Sequence, residues 1–279
     1  MQNPDVSQWT GRCEKQRGVL DLSAAQKLAA TLGDRAGKIG DPMPFLAHWS
    51  AFVPQSLTSE LSCDGHPKLG GFMPPVPLER RMWAAGALTF HSPLHIGSDI
   101  TRQSTIRSVS QKEGAAGPMV FVTIAHEYFE DDTHAISEIQ DIVYLNIPQQ
   151  FSPPKPKPVP VDADITEAVP MSETLLFRYS AATFNAHRIH YDLPYAQEVE
   201  KYPGLVVHGP LQATLLMRAA LRQGDRQPKK FSFRGIHPMF HFDDLHIFGH
   251  DTDNGMTLCT GIVGGHQGMQ ANIIWEEKP

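Results

Sequence analysis

Near the middle of the chain runs IPQQFSPPKPKPVPVD, residues 147–162, which holds six prolines. Proline fixes φ and carries no backbone N–H, so such a stretch avoids helix interiors and central strands and takes extended polyproline geometry. It reads as a stiff connector over residues 148–162, with a first half over 1–147 and a second over 163–279. Each half approaches the roughly 100–150 residues that can bury a core of its own.

In the second half, VVHGPLQATLLMRAALRQ (206–223) reads as one long helix, with Pro210 in the first turn, where a missing N–H costs nothing. Leu211, Leu215, Leu216, Ala219 and Ala220 cover most of its circumference, leaving Arg218 and Arg222 on one edge. A helix apolar on so many sides is buried, wrapped by a sheet. Strand-like runs KFSFRGIHPMF, LHIFGHD, MTLCTGIVG and MQANIIWEE follow it. Before it, LLFRYSAATF (175–184) reads as a strand and LPYAQEVE as a short helix. The first half repeats the order. SAAQKLAAT (23–31) reads as a helix capped by Ser23 with Gln26 in the capping box, and LERRMWAAG (78–86) as a second helix. Strand-like ALTFHSPLHI, TRQSTIRSVSQ, MVFVTIAHEYF and EIQDIVYLNI come next, with the turn GAAGP at 114–118 suiting an antiparallel meander. A faint repeat joins the halves: Phe90, Pro93-Leu94 and Asp99 against Phe233, Pro238-Met239 and Asp244. A long helix followed by a sheet that curls around it is the hot-dog arrangement. The expected class is α+β, a double hot-dog with two antiparallel sheets, each wrapped on a central helix.

Composition narrows the function. A formal charge of -6 with no clustered Lys and Arg argues against nucleic acid and against anionic membrane surfaces. The longest apolar passage, PGLVVHGPLQATLLM, is too short and mixed to span a membrane, and MQNPDVSQWT lacks a signal-peptide core. Cys13, Cys63 and Cys259 are odd in number and scattered, which suits a reducing compartment, so a soluble cytoplasmic protein is expected.

Against that background the loop TFNAHRIHYD (183–192) stands out, in a chain of 14 histidines. Three readings of it are open. His187 and His190 are two metal ligands with His208 as a conceivable third, but nothing requires the trio and no metal is expected. Alternatively the polar side chains only hydrogen-bond the end of a strand. Or Asn185 and His190, turned toward one point by the loop, work with His208-Gly209-Pro210 about 19 residues later. The Gly209 N–H, at a helix start, is an unpaired donor suited to a carbonyl gaining negative charge. That combination suits enolate chemistry beside a thioester.

FNAHRIHYD, YPGLVVHGPLQATLL and FRGIHPMF resemble the mesaconyl-C4-CoA (3-methylfumaryl-CoA) hydratase branch of the MaoC-like hydratases, close to the mitochondrial type 2 hydroxyacyl-thioester dehydratases. ALTFHSPLHIGSDITRQSTI and GPMVFVTIAHEYF are similar to that family's N-terminal dehydratase-like half. The broader family's motif runs Asp–x–Asn–Pro–Leu–His. Laid on this chain it puts Asn185 at the Asp, His187 at the Asn, His190 at the catalytic His and Gly209 at the oxyanion-hole glycine. An amide cannot accept a proton as a carboxylate does, so His190 carries the base role or Asp192 assists. The resemblance implies a hydro-lyase adding water reversibly to an enoyl-CoA, with catalytic Asn185, His190 and Gly209. His187, Arg188, His208 and Arg234 are the expected substrate contacts, either arginine suiting a carboxylate on the acyl group. It implies no cofactor beyond the CoA of the substrate and a non-catalytic first half that shapes the acyl pocket. A double hot-dog stands alone, and further pairing into a homo-oligomer is common. An acyl-CoA thioesterase and a non-catalytic acyl-CoA-binding protein are the rival readings.

Overall fold

The computed structural model describes residues 6–114 and 117–277. Ten antiparallel strands form one continuous sheet in the order β1-β3-β4-β5-β2-β7-β10-β9-β8-β6. The first half contributes β1 (Cys13–Val19), β2 (Arg80–Phe90), β3 (Asp99–Gly114), β4 (Gly117–Glu130) and β5 (Thr133–Leu145). The second contributes β6 (Ile165–Ala168), β7 (Pro228–Gly235), β8 (Leu245–Thr252), β9 (Gly255–Ile262) and β10 (Gln267–Trp275). The order reads the same from either edge when β1 is matched to β6 and β2–β5 to β7–β10. The two expected sheets are thus one, joined where Ala85–Thr89 of β2 pair with Lys230–Arg234 of β7.

Three helices accompany the sheet: α1 (Leu22–Thr31), α2 (Glu173–Ala182) and α3 (Gly209–Leu221). α3 fills the concave face of β7–β10, with Leu211, Ala213, Leu216, Met217 and Ala219 fully buried. α1 and α2 follow β1 and β6, and pack on each other. The repeat is visible in backbone hydrogen bonds: Met43 N–H donates to Leu94 O at 2.6 Å, as Val207 N–H donates to Met239 O at 2.8 Å. Pro93-Leu94 and Pro238-Met239 therefore hold matching places. By the same matching, the first half has only one turn of 3-10 helix, Ala47–Ser50, where the second has α3. Leu46 ahead of it is left-handed (φ 69°), and Trp49 and Phe52 pack against the core there. The central helix is thus complete in the second half alone.

Two expected elements exchange character. LLFRYSAATF is helix, not strand: the Ser172 hydroxyl caps α2 by accepting from Leu175 N–H at 3.1 Å. Leu176, Tyr179 and Ser180 are buried at helical spacing, whereas Phe177 is 61% exposed. LERRMWAAG lies mostly in β2, not a helix. Its Ala and Arg residues favour a helix locally, but pairing with β5 on one side and β7 on the other overrides that preference. Gly86 in this strand lets Phe233 lie against the backbone, since a Cβ there would sit 2.5 Å from the ring. α1 begins two residues early, capped by Asp21 (Oδ1 to Ala24 N–H, 2.8 Å) in place of Ser23. LPYAQEVE contains a turn of π-helix, Tyr195–Val199. The tip of the GAAGP turn, Ala115-Ala116, lies outside the described residues; Gly114 pairs with Gly117 on either side.

The proline-rich segment has no helix or strand and is tied down where Lys157 O accepts the Gln267 N–H (2.8 Å) and where Phe151 packs on Tyr202 and Phe240. No helix among the described residues is long and apolar enough to cross a membrane. Replacing Leu216 by Ala leaves a void between α3 and the sheet. Urea unfolding is expected to show a loss of about 2–5 kcal/mol.

Candidate active site

The loop between α2 and the π-turn is shaped by its own polar side chains. Phe184 is left-handed (φ 49°), and Asn185 Oδ1 accepts the His187 N–H at 3.0 Å. One lone pair of its oxygen is tied into the loop, and the Asn185 Nδ2–H group is free to donate. His190 Nδ1 lies 2.7 Å from Val206 O. A carbonyl only accepts, so Nδ1 carries the proton and Nε2 keeps its lone pair. Burial, and next the charge of His187, hold the His190 ring down to about 3, the Val206 carbonyl opposing them.

His208 lies beneath His190, ring on ring at 3.6 Å, with Nε2 2.8 Å from Ser180 Oγ. It is fully buried, does not line the cavity described below, and its Nδ1 has no partner. Burial also pushes its affinity for a proton well down. The ring therefore braces His190 from behind. His187 is buried with Nε2 3.7 Å from Glu200 Oε1, neither atom having a hydrogen-bond partner. Glu200 is held by Arg80 Nε at 2.8 Å.

Gly209 begins α3, and its N–H makes no hydrogen bond among the described residues. Pro210 beside it has no N–H, so Gly209 supplies the first free donor of the helix start. A Cβ on Gly209 would meet only Met269 Cε (3.7 Å) and Trp83 O (3.8 Å), so the protein itself leaves room there.

Asn185, His187, His190 and Gly209 all line one cavity of about 1780 Å³. Arg188 and Arg234 do not. Arg188 is bound to Asp192 (2.8 Å), lies over the Tyr195 ring (4.1 Å) and donates to Cys63 O (3.0 Å). The same ion pair occupies Asp192, the acid expected to assist. Arg234 is exposed on β7, so the expected contact with a substrate carboxylate is not in place at either arginine.

The first half adds residues that sequence reasoning missed. Trp49, His66, Arg81 and Trp83 line the cavity, as do Pro148 and Phe151 of the connector. The loop holding His66 is pressed against the 185–188 loop: Arg188 N–H donates to Asp64 O at 2.9 Å, and Gly65 (φ 92°) passes so close to Ala186 that a Cβ would lie 1.8 Å from its oxygen. His66 Nδ1 is 2.8 Å from Asp64 Oδ2, and its ring lies 4.2 Å from that of His187. Burial and then the Arg81 charge lower the His66 proton affinity. Burial works to raise the Asp64 carboxyl, but the hydrogen bonds and charge of His66, with the charge of His187, together outweigh it and hold the group low. Asp64, His66 and His187 offer ligand atoms within 4.8 Å of one another, the grouping among the described residues that could hold a metal ion. His66 Nδ1 is already committed to Asp64, which favours a hydrogen-bonded dyad there. A D-G-H tripeptide is the sole sequence signal of this loop, and nothing local links it to a histidine 121 residues away.

The sequence model for hydroxyacyl-thioester dehydratase type 2 matches residues 46–241. The chain belongs to this family. A mesaconyl-C(4)-CoA hydratase of Chloroflexus aurantiacus is 45% identical over 98% of this chain and 99% of its own length. A mitochondrial hydroxyacyl-thioester dehydratase type 2 of Schizosaccharomyces pombe is 31% identical over 74% of this chain and 77% of its own. For the fold, a Mycobacterium tuberculosis protein described as a double hot-dog superposes with a TM-score of 0.58 at 13% identity, covering 95% of this chain and 96% of that one. The double hot-dog fold thus accounts for the palindromic sheet.

The buried neutral rings make stability depend on pH. His190 and His208 bind a proton less readily folded than at the ordinary value near 6.5. Their contribution is present above about pH 6.5. It falls below that by roughly 1.4 kcal/mol per pH unit for each ring, down to the folded value. Urea unfolding between pH 7.5 and 5 is expected to show this decline, and His190→Gln a shallower one.

Proposed function

We propose that the protein is a hydro-lyase that adds water reversibly to the C=C of an enoyl-CoA, its substrate a branched dicarboxylic acyl-CoA such as mesaconyl-C4-CoA. The carrying observation is the convergence, in one cavity, of His190 with a free Nε2, the Asn185 amide donor and the unpaired Gly209 N–H. The likeness to the mesaconyl-C(4)-CoA hydratase of Chloroflexus, over nearly the whole chain, supports the substrate class.

In this reading the Asn185 Nδ2–H and His190 Nε2 hold a water between them. Nε2 takes a proton as the water oxygen bonds to the β-carbon, and the π electrons move onto the thioester oxygen. Gly209 N–H, at the positive end of α3, stabilises the resulting enolate. The proton then passes from Nε2 to the α-carbon, so OH and H arrive from one face and His190 is restored. A ring held near 3 is a weak base in the empty cavity. The anionic charge growing on the thioester oxygen beside it favours the imidazolium at the moment it forms. His208 beneath keeps the ring in place, and Val206 O keeps its tautomer.

The cavity wall carries no Asp or Glu among the described residues, which supports a histidine as the base. The second half carries the water chemistry; the first half and the connector shape the acyl chamber. No metal or redox group is required, the CoA arriving with the substrate. The three cysteines are free, in keeping with a reducing cytoplasm.

Purified protein mixed with mesaconyl-C4-CoA, itaconyl-CoA and crotonyl-CoA is expected to consume enoyl absorbance without releasing thiol. Release of free CoA would instead mark a thioesterase, and activity lost on chelation and restored by zinc would bring the Asp64–His66–His187 group into the chemistry. His190→Ala is expected to lower turnover by roughly 10²–10⁴. Asn185→Asp keeps an oxygen for the His187 N–H and is expected to lose less than His190→Ala; a larger loss would require the amide donor itself.

A further inference from the structure

We propose that the guanidinium of Arg81 binds a free carboxylate on the acyl group and thereby selects dicarboxylic over monocarboxylic acyl thioesters. The proposal rests on the reading of the cavity as an acyl-CoA site and assigns the group that reads the far end of the acyl chain.

Two cations, Arg80 and Arg81, line the cavity, and the described lining residues include no Asp, Glu or Lys. Arg80 is already matched: it donates to a Glu200 carboxylate oxygen at 2.8 Å and to the Glu200 carbonyl, and lies 4.4 Å over the Tyr202 ring. Arg81 has no carboxylate partner among the described residues. It is half-buried at the start of β2, opposite Tyr144 of β5, and its charge is felt by both Tyr144 and His66. A cation partly withdrawn from water without an opposite charge is a standing site for an anion. The remaining arginines considered for this role are occupied or remote: Arg188 is tied to Asp192, and Arg234 is outside the cavity.

Position fits the reaction as well. Two residues along β2 from Arg81 is Trp83, whose carbonyl lies 3.8 Å from the point where a Gly209 Cβ would be. The strand rise puts the Arg81 backbone about 6.6 Å further along, within reach of a long side chain. In a 3-methylfumaryl thioester, three carbon–carbon bonds separate the carboxyl carbon from the thioester carbonyl. With the carbonyl on Gly209 N–H, the carboxylate projects away from α3 toward that part of the wall. A planar guanidinium takes it through two parallel N–H···O bonds, which also fixes the face of the β-carbon offered to water.

Binding measured by calorimetry with the saturated thioesters succinyl-CoA and butyryl-CoA tests this without turnover. The two share every CoA phosphate, so their affinity ratio reads the acyl carboxylate alone. The native chain is expected to prefer succinyl-CoA, and Arg81→Gln to reduce that preference on the order of 10²-fold. Arg81→Lys, which keeps the charge but not the fork, is expected to fall between, and Arg234→Gln to leave the preference as it was. An Arg81→Gln protein that weakens both ligands equally would place the guanidinium on the CoA phosphates and overturn the proposal, as would an unchanged preference in Gln and Lys variants with native thermal unfolding. A chain that hydrates no enoyl-CoA but keeps an Arg81-dependent preference would remove the hydratase reading and leave this one standing.

Discussion

The pairing of Ala85–Thr89 with Lys230–Arg234 is the contact on which the rest of the molecule depends. It turns two five-stranded sheets into one, and it sets the start of β2 beside the start of α3. Both strands at the seam are paired on each side, so neither exposes an edge there. Gly86 lets the Phe233 ring press onto the seam, and Trp49 and Trp83 pack edge-on against each other and Phe233 nearby. A cavity shared by the two halves follows from this join, because neither half encloses one without the other.

The halves have diverged in what fills their concave faces. The second keeps a long buried helix whose first N–H faces the cavity. The first has one helical turn and a buried polar knot instead, in which Glu138 accepts from Tyr128 OH (2.7 Å) and Trp49 Nε1 (3.0 Å) with His48 at 3.4 Å. Burial works to raise Glu138, but His48 and its other partners hold it down to about 2. In the same half, the loop that carries Asp64 and His66 reaches across to the 185–188 loop.

Within the site, three histidines are ordered by what lies behind them. His190 is tuned by a backbone carbonyl and by the stacked His208. His187 faces Glu200, itself locked by Arg80, and His66 is locked by Asp64. Among the described residues no carboxylate lines the cavity; those of Asp64 and Glu200 stand one layer back, holding His66 and neutralising Arg80. An anionic substrate therefore meets a wall without negative side chains, and the Asn185 amide at the motif's carboxylate position is consistent with that arrangement.

Much of this was legible in the chain alone, for a physical reason. Asn185, His190 and Gly209 lie within 25 residues, so one loop and one helix start bring them together, and α3 announces itself because it is apolar on nearly every side. The strands with alternating or β-branched runs were readable for the same local reason. What tertiary structure alone decided concerns partners far apart in sequence. β2 is a strand because β5 and β7 pair with it against its own helix preference, and α2 hides a helical face beneath aromatic alternation. His66, Asp64 and Arg81 join the site only through the docking of Gly65 on Ala186 and the register of β2, which no local pattern encodes. Conversely, Arg234 and Arg188 have the right chemistry in sequence, but strand facing and the Asp192 ion pair keep them from the cavity.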